Sequence, residues 1–156
     1  MKITFSLFAA LVLLAACGSQ VAPSEAAPAS AAETSQSNDE ATWRAEIETW
    51  AQGQIDAPHE GLNSDRTNVF FGDFSGDGAP DAFLHAVVMG PTYTNVLTAL
   101  FRNEDGHMRL VRRVDDVFGV MPENVQFSRG QVTLTTTFME GPDAGQSQNW
   151  TIRATP

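Results

Sequence analysis

Hydrophobic and polar positions change their spacing along this chain, and each change marks an element. Ile3 to Leu14 is a nearly continuous apolar run. From Gly18 to Ser37 the pattern disappears, with Val21 the one large aliphatic residue. Trp43, Ile47 and Trp50 then recur at i, i+4 and i+7, which predicts an amphipathic helix over Ala41–Gln54. Asp39 is positioned as its N-cap and Gly53 as its stop. Ile55 to Asn68 is polar and turn-rich and reads as loop. Beyond it the period falls to two. Strands are expected at Val69–Phe71, Ala82–Met89, Thr94–Asn103, Met108–Val114, Asn124–Ser128, Gln131–Phe138 and Asn149–Thr155. Ala82–Met89 is almost wholly apolar, as in a central strand covered on both faces. Asp105-Gly106 is a hairpin turn, because the pair tolerates positive φ. Short connections imply antiparallel pairing. The expected fold is α+β, an N-terminal helix packed on a meandering, mostly antiparallel sheet of about seven strands. Trp43 and Trp50 are read as packing residues rather than a ligand platform.

The first apolar run is flanked in an informative way. Lys2 precedes it and Ala15-Ala16-Cys17 follows it. A basic start, a short apolar core and small residues before a cut site form a secretory signal, too short to span a bilayer, which takes about 20 residues. Leu14-Ala15-Ala16-Cys17 resembles the lipobox of bacterial lipoproteins. That resemblance implies cleavage before Cys17, acylation of its sulfur and new N-terminus, and stable membrane attachment through more than one chain. Cys17 is the only cysteine, so no internal disulfide can form. Gly18 stands where an Asp would signal inner-membrane retention in enteric bacteria, which favours the outer membrane. The domain boundaries that follow are 1–16 for the signal, 17–40 for the lipidated cysteine and an Ala/Ser/Pro-rich disordered tether, and 41–156 for one globular domain.

Charge narrows the partners. The chain holds 19 acids and 9 bases. Lys2 and four of the acids precede Ala41, leaving fifteen acids and eight arginines, about −7, in the domain. Such a surface disfavours nucleic acid and admits cations.

One segment carries recognisable chemistry. Gly72 to Asp81 reads G-D-F-S-G-D-G-A-P-D. Asp73, Ser75, Asp77 and Asp81 fall at loop positions 1, 3, 5 and 9, with Gly78 at position 6 for a sharp turn. A curled loop turns alternate side chains inward, and calcium takes six to eight hard oxygen ligands. Position 12 is Leu84, not the EF-hand glutamate, and the flanks read as strands. The segment resembles the calcium loops of FG-GAP repeats. That resemblance implies side-chain ligation by Asp73, Ser75, Asp77 and Asp81 and a carbonyl from Ala79, with Ser75 where Asn or Asp is usual. A single such loop argues against a propeller. The whole layout resembles small proteobacterial lipoproteins, a likeness that brings no activity with it.

Two functions fit. One is a non-catalytic, membrane-anchored envelope lipoprotein whose domain binds a protein or an envelope component and is stabilised by Ca2+. The other is a calcium-dependent envelope hydrolase, with His85 as the base beside Asp73, Asp77 and Asp81. A cell-surface adhesin is a third option, by loop analogy alone. His85 is otherwise expected as a core histidine. No zinc-spaced histidines, nucleophile elbow or P-loop occurs. Arg109, Arg112 and Arg113 are read as balancing nearby acids.

Overall fold

The computed structural model describes the backbone of residues 29–155 and the side chains of residues 38–155. The signal, Cys17 and the first part of the tether lie outside the described residues. One helix, α1 (Ala29–Gln52), precedes seven strands. These are β1 (Gly61–Gly72), β2 (Asp81–Met89), β3 (Thr94–Glu104), β4 (His107–Val114), β5 (Val120–Ser128), β6 (Gln131–Thr137) and β7 (Ser147–Arg153). All pairings are antiparallel between neighbours in sequence. The α+β class with its leading helix stands, and the seven strands divide into two sheets, β1-β2-β3-β4 and β5-β6-β7.

The division follows from β2. Eight consecutive residues, Asp81 to Val88, are buried. Side chains alternate across a strand, so β2 needs cover on both faces. Ala82, Leu84, Ala86 and Val88 join Leu97, Ala99 and Phe101 of β3 in a core closed by Trp43, Ile47 and Ala51 of α1. Phe83 and Leu100 point the other way, into a second core with Val132, Leu134 and Ile152 of the three-stranded sheet. The molecule is therefore layered as helix, four-stranded sheet and three-stranded sheet. Each large core side chain contributes about 1.5–3 kcal/mol by leaving water.

The helix is docked by polar contacts as well. The Trp43 indole N–H donates to the Gly106 carbonyl at 2.9 Å. Glu46 accepts from the Met108 N–H at 2.9 Å and meets His107 at 2.8 Å. Arg44 donates to the Val69 carbonyl and lies 5.6 Å from the Phe71 ring centroid. Trp43 is thus a packing residue with a satisfied N–H, as expected.

Two boundaries differ from the sequence reading. The helix begins at Ala29, so Asp39 lies inside it rather than capping it. The segment before Ala41 is rich in Ala, Ser, Gln and Glu, and alanine has the highest helix propensity, so the helix extends without any apolar stripe to announce it. The first strand begins at Gly61, inside the expected loop. Residues Ser64 to Arg66 are exposed, and the pairing with β2 is irregular between Leu62 and Thr67. An edge strand with a bulge carries no clean alternation to read.

Candidate functional site

The Asp73–Asp81 segment joins β1 to β2 and is wound around its own carboxylates. Asp73 Oδ2 accepts from the Gly78 N–H at 2.9 Å, and Oδ1 from the Gly76 N–H and, at 3.2 Å, the Ser75 hydroxyl. These bonds hold the Asp73 carboxyl below its usual range, the Gly76 N–H first among them. Asp77 Oδ1 accepts from the Ala79 N–H at 2.9 Å. Gly76 and Gly78 have φ of +81° and +88°, a region where other residues are strained. The two glycines let the backbone present its N–H groups inward.

Asp81 behaves differently from its neighbours. It is fully buried. Oδ2 accepts from the N–H groups of Phe74 at 3.1 Å and Ser75 at 2.7 Å, and Oδ1 from the Asn103 N–H at 3.1 Å. One carboxylate therefore ties the loop to β2 and, through Asn103, to β3. No ion pair to Asp81 is found among the described residues, and its contacts are these three backbone N–H groups. Asp73 and Ser75 are half-buried, Asp77 is exposed and Ala79 is half-buried. No group of three acid, histidine or cysteine side chains close enough to hold a metal occurs among the described residues. The loop thus offers hard oxygen donors of the right type on a curled backbone, while its deepest carboxylate is already engaged by three N–H donors.

The loop also couples the two sheets. Phe74 is fully buried in the core between them. Its carbonyl accepts from the Gly130 N–H at 2.7 Å, and the Gly130 carbonyl accepts from Ala154 at 2.9 Å. Arg129 packs its side chain over Gly76. Gly72 is required where β1 meets the loop, since a Cβ there would lie 2.5 Å from the Phe127 ring.

His85 sits on the inter-sheet face of β2, fully buried, as a core histidine rather than beside the loop. Nε2 lies 3.1 Å from the Gly119 carbonyl, so Nε2 carries the proton and donates. Nδ1 is buried with no partner. Burial pushes its pKa down, and the Gly119 bond offsets this in part. An open cavity of about 480 Å3 lies beside Gly119, lined by Arg66, Arg113, Phe118 and Met139 among others, and His85 does not line it. His85 therefore faces neither this cavity nor the loop carboxylates.

Sequence reasoning missed what this histidine belongs to. Thr98 donates to the Val114 carbonyl and Thr136 to the Phe118 carbonyl. With His85 on Gly119, three buried polar side chains hold the carbonyls of the Val114–Gly119 crossing from one sheet to the other. The signal was a polar residue at an inward position of a strand, which spacing alone does not assign to a partner.

No protein-family model, no curated protein and no solved structure matches this chain.

Two tests follow from this geometry. Asp81→Asn replaces an acceptor facing backbone N–H groups with an amide whose own N–H₂ opposes one of them. It should destabilise the fold by about 1–3 kcal/mol with chelator present, whereas Asp77→Asn should cost well under 1 kcal/mol under the same conditions; equal losses on chemical unfolding would show that Asp81 is not the joint. For His85 the folded pKa is depressed below 6.5, so the unfolded chain takes up a proton first. Stability from this group is intact above pH 6.5 and declines as pH falls through that value. Unfolding free energies measured from pH 7.5 down to 5.5 should fall in the wild type and stay flatter in His85→Phe. Equal slopes would remove His85 as the cause.

Proposed function

We propose that this chain is a membrane-anchored envelope lipoprotein, attached through acylated Cys17, whose domain binds a protein or envelope component and is stabilised by calcium in the Asp73–Asp81 loop. The observation that carries the calcium part is the coupling of that loop to both sheets through Phe74, Asp81 and Gly130. A ligand that binds only the folded loop stabilises everything the loop joins. Asp73, Ser75, Asp77 and the Ala79 carbonyl would hold the ion, with Asp81 behind them. A calcium ion there would supply the cation that the buried Asp81 lacks among the described residues. Its role would be structural.

The anchor part rests on the lipobox resemblance at Leu14–Cys17 and on the signal before it. Among the described residues no helix is long and apolar enough to cross a membrane. The binding reading is favoured over hydrolysis by the enclosure of His85 between the sheets, away from the loop carboxylates.

Thermal unfolding with calcium and with chelator tests the loop. At free calcium about ten times the dissociation constant, the gain is about 1.4 kcal/mol, which raises the midpoint of a domain this size by on the order of 5 °C. Asp77→Ala should abolish the shift. Coincident wild-type curves at millimolar calcium would reduce the loop to a turn. For the anchor, Cys17→Ser should move the chain from the membrane fraction to the soluble fraction after cell disruption. Retention of the variant in the membrane would rule out acyl attachment at this residue.

A further inference from the structure

Residues 115–119, between β4 and β5, belong to no strand, and side chains hold them in place. Thr98 of β3 donates to the Val114 carbonyl, Thr136 of β6 to the Phe118 carbonyl and His85 of β2 to the Gly119 carbonyl. Trp150 of β7 extends the set. Its indole N–H donates to the Thr136 hydroxyl at 2.7 Å, and its ring meets that of Phe118 edge-on at 6.1 Å. Of these groups only His85 can change its charge near neutral pH. With the proton on Nε2 the ring is neutral, and Nδ1 is buried without a partner. A second proton would go to Nδ1. It would place an N–H and a positive charge in a closed layer where nothing accepts either, and such burial is costly.

No neighbouring charge offsets that cost. His85 stands opposite Asn68 of β1 and Thr98 of β3, and β6 across the interface carries no charged residue. Asp81 lies four residues away on the same face of β2, roughly 13 Å along the strand, with Phe83 between them and its own oxygens bonded to N–H groups. Asp65 and Arg66 of β1, Arg113 of β4, Asp115 and Asp116 before Gly119, and Glu140 after β6 are all exposed, and the His85 ring bonds to none of them. The proton is admitted most easily where water reaches both ring nitrogens, which requires parting the imidazole from Gly119.

We propose that the Val114–Gly119 crossing is a proton-operated latch: protonation of His85 releases it from the layer between the sheets, while the helix on the other face of β2 stays docked. The two faces of β2 belong to separate cores, so one can loosen without the other. The released form, with its ring in water, takes up the proton first. Release is therefore favoured as pH falls below the ordinary histidine value of about 6.5, and the ratio of released to closed molecules grows by up to about tenfold per pH unit. Val117, Phe118 and Gly119 line the 480 Å3 cavity, so its shape follows the state of the latch.

The three tryptophans divide between the layers, which makes the test local. Trp150 touches the latch, whereas Trp50 packs on Phe101 under the helix. Trp43 bonds to Gly106, next to the His107–Glu46 pair, and senses that second titration, so Trp50 is the reference. The full chain, labelled with fluorinated tryptophan and held in mild detergent, is followed by fluorine NMR from about pH 7.5 to about pH 5, on either side of the histidine value. Each resonance is assigned from a single Trp→Phe variant. The Trp150 resonance should move or broaden below about pH 6.5 while that of Trp50 stays in place. His85→Gln keeps an N–H for the Gly119 carbonyl and has no titrating ring, so its Trp150 resonance should not respond. A wild-type Trp150 resonance that is constant over the range overturns the proposal. So does one that changes together with Trp50, which is unfolding of the whole domain. These wild-type outcomes decide the matter even where the glutamine variant does not fold. A Trp150 response that persists in folded His85→Gln also overturns it.

Discussion

Strand β2 is enclosed on both faces, and the rest of the molecule is arranged to satisfy that condition. A strand with eight buried residues in a row has no wet side. One face takes the helix, through small residues (Ala82 and Ala86) that let Trp43 and Ile47 approach. The other takes a second sheet, with Phe83 reaching across to Val132 and Leu134. Two layers around one strand impose a topological demand. The chain must leave the first sheet after β4, cross its end and begin another. The Val114–Gly119 crossing does this, and the buried polar groups of the inter-sheet layer are spent on it.

Which parts of this were legible beforehand depends on how each part is encoded. Strand β6 announces itself because burial and side-chain alternation coincide, with Val132, Leu134 and Thr136 inward against Thr133, Thr135 and Thr137, whereas β2 is legible as an unbroken apolar run. The helix face was readable from Trp43, Ile47 and Trp50, but its start was not. A helix continuing on propensity alone has no hydrophobic period to detect. The early residues of β1 were hidden for the converse reason, since their pairing is backbone-driven and their side chains are polar. The split into two sheets was implicit in the enclosed β2, yet adjacency in sequence gives no indication of where a meander breaks.

The loop shows the same limit at finer scale. Spacing marked Asp73, Ser75, Asp77 and Asp81 as equivalent members of one set. Geometry separates them. Asp73 and Asp77 organise the turn, whereas Asp81 is buried and shared with Asn103 of β3. A carboxylate accepting three backbone N–H bonds is a stable arrangement in itself, because charge-assisted bonds are roughly twice as strong as neutral ones. The pattern D-x-S-x-D-x-A-x-D thus has two uses, a cradle for a cation and a plug for backbone donors. They are compatible, since a carboxylate oxygen has more than one lone pair.

His85 raises a question of design, namely why a core strand carries an imidazole with one nitrogen unpartnered. A leucine there would pack without cost from a buried polar atom. It could not hold the Gly119 carbonyl, which lies in a crossing with no strand partner to bond it. Gly119 is half-buried and, with φ of +83°, has no room for a side chain of its own beside Thr136. The planar side chain of His85 supplies a donor to its carbonyl from across the interface. Histidine does so in its neutral form with the proton on Nε2, and the idle Nδ1 is the consequence. The price of the crossing is thus a residue whose fit depends on staying uncharged, and the two-sheet architecture inherits that dependence on pH.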